Sequence, residues 1–427
     1  MALEDFETIM TRCIRCSLCK FPPLEQIKSE RFANVCPSVT KYNFHTYSGG
    51  GKLITGLALV QGRLEYSDEM LDIIYRCQMC GACDVSCKYN RDMEVLEPNY
   101  ELRAKLVNDG QILPAHMPVI EGLRKEDNML QCLKADRGNW AAGLGLKDIT
   151  RETAEVIYHA GCRLSFDEDL QKVAVATVKL LQQAGVDVGI AGVDETCCGG
   201  RAYEMGYQGE FMKYAEHNVE TWRTAGAKIV VTSCADCYSA FKVLYYKMGL
   251  DTKVEVMHIT EYLERLISEG KLKLTREIPL TVTYHDPCHL GRKAEPTIRW
   301  QGVERKEYGQ LVLHDPVKIF RRGTYGVYEA PRNVLRRIPG LKLVEMERIK
   351  EYAWCCGAGG GVKEAFPDFA IDTALERIEE ARATEASAMV TACPWCERNF
   401  NDALGESGNN YKIFDIVELV QQACDGA

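Results

Sequence analysis

The hydrophobic pattern of residues 154–233 switches back and forth between two periods. Three short runs are mostly apolar: AEVIYHA (154–160), VDVGIA (186–191) and AKIVVTS (227–233). Runs this short and this apolar fit strands buried on both faces. Between them lie DEDLQKVAVATVKLLQQAG (167–185) and GEFMKYAEHNVETWRTAG (209–226), apolar at helical spacing and each closing on a glycine. Strands alternating with helices predict βαβ units and a parallel sheet. The first 110 or so residues look helical instead. YSDEMLDIIYR (66–76) offers Ser67 as an N-cap, and EPNYELRAKLVNDG (97–110) closes on Gly110. The expected fold is α/β with an α-helical N-terminal domain.

The α/β part is written twice. VIYHAGCRL (156–164) matches VTYHDPCHL (282–290), and ETCCGG (195–200) matches AWCCGAGG (353–360). AKIVVTSCADC (227–237) matches SAMVTACPWC (387–396), and HITEYLERLI (258–267) agrees in pattern with FDIVELVQQA (414–423). The expected domains are 1–110, helical; 111–150, a connector; 151–272, the first α/β copy; and 278–427, the second, with an insertion near 293–325.

With 46% apolar and 26% charged residues, the 427-residue chain reads as a soluble globular protein with ample core. A formal charge of −9 gives a nucleic-acid role no electrostatic support. The longest apolar run, KLITGLALVQG, is too short to span a bilayer, and the acidic start MALEDFETIM lacks a signal-peptide layout. The expectation is a cytoplasmic protein with no transmembrane segment of its own. There, 20 cysteines point to metal rather than to disulfides. Inert buried thiols would scatter, whereas 18 of the 20 fall into four spaced groups. Only Cys132 and Cys424 stand apart, as plain thiols.

The first group is Cys13, Cys16, Cys19 and Cys36, and the second is Cys77, Cys80, Cys83 and Cys87. C-x2-C-x2-C with a distant fourth cysteine is the pattern of a cubane [4Fe–4S] cluster of the ferredoxin kind. The fourth cysteine there serves the other cluster, which pairs Cys13, Cys16 and Cys19 with Cys87, and Cys77, Cys80 and Cys83 with Cys36. Sixteen residues separate Cys19 from Cys36 where three are usual, and Lys88 stands where proline commonly follows. Both departures leave the assignment of cysteines to cubes open. Two four-cysteine zinc sites are the competing reading.

The other ten thiols are Cys162, Cys197, Cys198, Cys234 and Cys237, then Cys288, Cys355, Cys356, Cys393 and Cys396. Five per copy is one more than a cube needs. They follow the predicted strands, at the edge of a parallel sheet where ligands gather. Two adjacent thiolates can hold neighbouring irons, or one can bridge two, so an unusual cluster is implied. Glycine after each pair lets the backbone come close. CGAGGG (356–361) as a dinucleotide loop is disfavoured, because it does not open from a strand into a helix in the required way.

C-x(30–39)-CC-x(35–36)-C-x2-C defines the CCG domain. The gaps here are 34 and 35 residues in the first copy, 66 and 36 in the second. Over nearly its whole length the chain resembles the heterodisulfide reductase catalytic-subunit family, in which ferredoxin-type and CCG modules are fused. The resemblance implies two Rossmann-like CCG domains, each with a noncubane [4Fe–4S] cluster, behind a ferredoxin-like domain with two cubane clusters. Glycolate and lactate oxidase iron–sulfur subunits, relatives of this family, have lost CCG cysteines; this chain keeps all ten. About 30 residues, carrying Arg, Lys, Trp and Tyr, interrupt the family's usually continuous HLGR…GVYEAPRNVL. They read as a surface excursion or as a loop that docks a partner or covers a site. The whole is similar to bacterial members serving anaerobic complexes, including the one that accompanies class II benzoyl-CoA reductase.

His159 and His285 stand three residues before the first cysteine of each copy, and His289 follows Cys288. His285 and His289 are the candidate catalytic residues, as proton donors beside a reducible sulfur. The alternative is a histidine bonded to backbone at a strand end. Asp236 and Asp286 are secondary candidates. With no flavin or nicotinamide fingerprint, electrons are expected from flavin- or iron–sulfur-containing subunits of a larger redox complex. The expected function is an iron–sulfur oxidoreductase subunit that passes electrons from the cubanes to the noncubane clusters and reduces a disulfide. The alternative is a pure electron-transfer subunit between a flavoprotein and a catalytic partner of the benzoyl-CoA reductase type.

Overall fold

The computed structural model describes residues 2–296, 300–308, 311–318, 321–408 and 410–424. Five strands make the first sheet: β1 (Lys147–Asp148), β2 (Val156–His159), β3 (Val188–Ile190), β4 (Ile229–Thr232) and β5 (Glu255–His258). Of the next six, β6 (Thr281–Tyr284), β9 (Lys342–Val344), β10 (Ala388–Thr391) and β11 (Lys412–Asp415) form the second. The remaining pair, β7 (Val303–Glu307) and β8 (Leu311–Asp315), is an antiparallel hairpin inside the insertion.

Both large sheets are parallel, in the orders β1–β3–β2–β4–β5 and β11–β10–β6–β9. Setting β1 aside, the orders β3–β2–β4–β5 and β9–β6–β10–β11 are the same, so the sequence repeat is also a repeat of topology. In each copy the chain leaves the first strand, adds one neighbour, then crosses to the other side. That reversal is a topological switch point, and it falls between β2 and β4 in one copy and between β6 and β10 in the other. The cysteines follow these strands.

The copies pack reciprocally. The first long helix of copy one, Gln171–Gln183, lies on the last helix of copy two, Ile416–Ala423; Ile259–Ser268 likewise lies on Glu329–Arg336. One apolar core therefore runs through both sheets, with Val230, Val231, Tyr158, Val282, Tyr284 and Val390 all buried in it.

The N-terminal part is helical, as its pattern predicts. Ser67 Oγ accepts from the Met70 amide at 3.2 Å to cap helix Asp68–Tyr75. Gly110 takes φ +75° just past helix Leu96–Asn108. Leu3, Phe6, Met10, Leu53, Leu57 and Leu102 form a separate small core. Arg103 joins this domain to both copies: fully buried, it donates to the carbonyls of Ile74 (3.0 Å), Cys77 (2.8 Å), Glu204 (3.0 Å) and Gly360 (2.7 Å).

Within the insertion, the expectation for residues 297–299, 309–310 and 319–320 lies outside the described residues. The hairpin projects, with Val303 61% and Tyr308 95% exposed. Its base is pinned by Glu295, which accepts from the amides of Gly323 (2.8 Å) and Tyr325 (3.1 Å). Among the described residues no helix is long and apolar enough to cross a membrane.

Candidate iron–sulfur sites

The N-terminal thiols form two neighbouring sets. Cys13, Cys16 and Cys19 lie on the loop after helix Glu7–Thr11, and Cys87 joins them from helix Ala82–Arg91. Cys36, Cys77 and Cys80 meet Cys83 from the same helix. Positions 83 and 87 are one turn apart on one face, so a single helix supplies one thiol to each set. Left-handed residues at Arg15, Ser17 and Met79 bend the loops inward. The two sets meet at the start of helix Gly49–Val60. A Cβ on Gly49 would lie 2.8 Å from Cys83 Sγ, and one on Gly50 3.3 Å from Cys13 Sγ. Lys88, in the position where proline is common, is buried and pairs with Asp84 (2.6 Å) and Glu94 (2.9 Å). Asp84 in turn accepts from the amides of Val95 and Leu96, so this lysine holds the next helix in place.

In copy one, Cys162, Cys197, Cys198, Cys234 and Cys237 are all buried and in mutual contact. In copy two, Cys288, Cys355, Cys356, Cys393 and Cys396 repeat the arrangement. The copies touch through the Cys234 and Cys393 thiols. Copy two touches the N-terminal domain through Cys80 and Cys355, which share a packed cluster with Val35, Ala82 and Cys288. The four thiol sets thus run in unbroken order from Cys16, the one exposed thiol of the 20, to Cys162.

Glycines after the vicinal pair of copy two make the Cys80 contact possible. A Cβ on Gly359 would sit 2.6 Å from the Gln78 carbonyl oxygen, and one on Gly360, at φ +63°, 2.6 Å from that of Cys77. Arg292 seals the same seam, donating from Nε to the Cys80 carbonyl (2.6 Å) and from Nη1 to that of Ala353 (2.6 Å). Across the other seam, Arg163 and Arg201 of copy one lie 4.1 and 5.0 Å from the ring of Trp395, between Cys393 and Cys396. Each such contact contributes about 0.5–2 kcal/mol.

A buried ion cluster lies beside Cys288. His289 Nε2 is 2.6 Å from Glu204 and its Nδ1 3.0 Å from Asp236. Lys293 also pairs with Glu204, Arg201 donates to Asp236 at 2.9 Å, and the Gly360 amide donates to Glu204 at 2.9 Å. Burial works against charge on His289, but the carboxylates of Asp236 and Glu204 outweigh it and hold the imidazole charged well above its ordinary range. In copy one, Arg137 pairs with Glu195 (3.0 Å) and donates to Cys162 Sγ (3.2 Å). Asp286, by contrast, is held by Arg332 and the Lys350 amide. His159 lies against the Phe241 ring. Cys132 bonds weakly to its own loop at Leu130, and Cys424 bridges to Leu274.

Donor chemistry tests whether these residues fit iron–sulfur clusters. Burial, then repulsion from Cys36, Cys77 and Cys80, pushes the Cys83 thiol well up; burial, then Cys19, pushes Cys87 up to about 12. Thiols so crowded ionise together only against a polyvalent cation, and soft thiolates in sets of four and five fit iron–sulfur clusters. Most of the surrounding polar shell was not visible in the sequence. Arg103, Arg137, Arg201, Glu204, Arg292 and Lys293 look like surface charges there, and only Gly49–Gly51, as a run of three glycines, carried a signal.

A dicluster domain followed by paired five-thiol α/β copies defines an iron–sulfur oxidoreductase. Residues 9–90 match the model of the 4Fe-4S dicluster domain, and residues 156–242 and 311–401 that of the CCG cysteine-rich domain. The dicluster domain binds two [4Fe–4S] clusters, and CCG domains are associated with noncubane ones. The second match begins beyond Cys288. The fold places Cys288 after β6 as Cys162 follows β2.

The chain belongs to a family of heterodisulfide reductase subunits. It is 34% identical over 387 residues to a subunit of the dihydromethanophenazine:CoB–CoM heterodisulfide reductase of Methanosarcina mazei, covering 88% of this chain and 84% of that one. It is 29% identical over 370 residues to the EtfAB:quinone oxidoreductase of Syntrophomonas wolfei, covering 83% of this chain and 47% of that one. Among solved structures it shares its fold with a hypothetical protein from Helicobacter pylori, at TM-score 0.54 and 10% identity over 89% of this chain and 68% of that one.

Proposed function

We propose that the chain is an electron relay between protein partners, with Cys13, Cys16, Cys19 and Cys87 and Cys36, Cys77, Cys80 and Cys83 holding cubane clusters, and the two sets of five holding noncubane ones. Clusters of this kind, when bound, take up and release single electrons. The observation that carries the reading is the unbroken order of thiol sets with Cys16 alone exposed. Arg12 and Arg15 are exposed beside Cys16, as are Ile14 (61%) and Phe44 (66%), a surface suited to an acidic redox protein, flavin- or iron–sulfur-containing. Both five-thiol sets are capped by protein, copy two by the Cys80 loop and each copy by the other. A cavity of about 830 Å³ between Tyr238, Glu264, Tyr325 and Glu329 is lined by no cysteine among the described residues. Cysteines grouped at metal-ligand spacing suit a reducing compartment, the cytoplasm.

Disulfide reduction is the second reading, favoured by the His289–Glu204–Lys293 cluster beside Cys288. The substrate would gain two electrons from the protein partner and two protons, breaking S–S and forming two S–H bonds. The test supplies anaerobic protein with reduced viologen and a panel of thiol disulfides. The relay reading expects no thiol release. It also expects Arg12→Glu with Arg15→Glu to slow reduction by an acidic ferredoxin while leaving reduction by viologen unchanged. Thiol release that falls in His289→Ala at constant iron content would overturn the relay in favour of the reductase.

A further inference from the structure

His285, Cys356 and Cys396 form one buried group: a ring nitrogen and both sulfurs lie within 4.8 Å of one another. By position alone the histidine is either an iron ligand or a hydrogen-bond donor to the sulfurs. Its other neighbour decides. Arg377 Nε donates to His285 Nδ1 at 3.1 Å. Arg377 is itself fully buried and held through Nη1 by the Arg348 carbonyl (2.9 Å) and by Glu380 (2.6 Å). A guanidinium has no acceptor and keeps its protons. Nδ1 must therefore present its lone pair, and the ring proton resides on Nε2. Nε2 is buried and has no hydrogen-bond partner; the Cys356 and Cys396 sulfurs, grouped within 4.8 Å with a ring nitrogen, are the acceptors left to it.

The first repeat lacks this arrangement. At the same distance before the C-x2-C motif stands Asn218, which donates to the Cys197 carbonyl and to Tyr245 instead. Nδ1 of His159 faces a carboxylate, Glu195, at 3.8 Å, which favours a proton on Nδ1. Two residues before the second vicinal pair, where Glu195 would correspond, stands Ala353. Equivalent histidines thus face partners of opposite character, one accepting and one donating.

We propose that Arg377 is a positioning residue that locks His285 in the Nε2–H tautomer, making it an N–H···S donor to the Cys356–Cys396 sulfurs and not a metal ligand, in the second repeat only. The proposal rests on the reading that Cys356 and Cys396 hold a cluster. A donor aimed at a ligand sulfur stabilises the added negative charge of the reduced state, so it raises the site's reduction potential.

The test uses the intact anaerobic protein with its clusters, labelled with ¹⁵N-histidine. Pulsed magnetic resonance should find a solvent-exchangeable proton coupled to the second noncubane cluster, with only weak ¹⁵N coupling. His285→Phe should make that site harder to reduce by roughly tenfold in the reduced-to-oxidised ratio, about 59 mV for one electron. Arg377→Met should shift it the same way at unchanged iron content. His285→Gln, which keeps an N–H donor, should restore most of the shift. Strong ¹⁵N coupling, with iron lost in His285→Phe, would make the histidine a ligand and overturn the proposal. Unchanged midpoints in both His285→Phe and Arg377→Met, while Cys356→Ser alters the signal, would overturn this proposal alone. Undiminished iron and an unchanged signal in Cys356→Ser would overturn the ligand reading and the proposal together.

Discussion

Arg103 gives the sharpest test of how the dicluster domain is held on the CCG pair. Arg103→Met keeps much of the side-chain volume and removes every donor. Four carbonyls lie within 3.0 Å of the guanidinium, those of Ile74, Cys77, Glu204 and Gly360. At about 1 kcal/mol net per hydrogen bond, their loss costs about 4 kcal/mol. The donor's charge strengthens each bond, and relief from burying that charge works the other way, so the two offset. Every 1.4 kcal/mol is a factor of ten, so local opening should become roughly 10³-fold more frequent. Amide hydrogen exchange of the anaerobic holoprotein reads this directly at residues 74–80, 200–206 and 357–362, with the β4 and β10 amides as internal controls. Exchange in the first three segments changed by less than tenfold would refute Arg103 as the tie.

Two further outcomes follow from the same geometry. Gly360→Ala forces a Cβ to within 2.6 Å of the Cys77 carbonyl at a left-handed φ, so it should separate the Cys80 loop from Cys355. Limited proteolysis near residue 78 should then accelerate, whereas Gly405→Ala, with open space around it, should not change it. Burial alone would raise Glu380, but Arg377 and Arg348 outweigh it and hold its carboxyl below the ordinary value. A depressed carboxyl stabilises the fold above its unfolded value, about 4.3, and that contribution is lost as pH falls through the folded value. Glu380→Gln should cost about 3–5 kcal/mol at neutral pH and flatten the acid limb of the stability curve below about pH 5; parallel limbs for the two proteins would contradict this.

How much of this was legible in the sequence depends on the range of each signal. Period and glycine placement are local, so β2, β3 and β4 and the helices between them fall where AEVIYHA, VDVGIA and AKIVVTS put them. The repeat was legible because duplicated motifs survive as words, and the strand orders of the two sheets repeat with it. Thiol spacing marked the groups, and the fold brings together the sets that the ferredoxin pattern paired. The polar shell was not legible, because Arg103 and Gly360 are far apart in sequence and each alone resembles an ordinary residue. Glu204, His289 and Asp236 meet only across the seam between copies. The hairpin β7–β8 was not legible because VERKE carries four charges in five residues and leaves LVLHD without a recognisable partner strand.

The junctions between thiol sets are not built alike. The first is spanned by two consecutive residues of one helix, Gly49 and Gly50, whose spacing is set by covalent geometry. The second and third, Cys80 to Cys355 and Cys234 to Cys393, cross surfaces held by packing, hydrogen bonds and ion pairs, with no short covalent spacer to fix them. Mild denaturant, pressure or a lesion at a seam would therefore leave the N-terminal pair communicating while cutting it off from the rest. In the proposed relay, the protein would then fail as a circuit with its input stage still live: rapid, unproductive uptake from a donor, and reducing equivalents stranded beside the exposed thiol at Cys16.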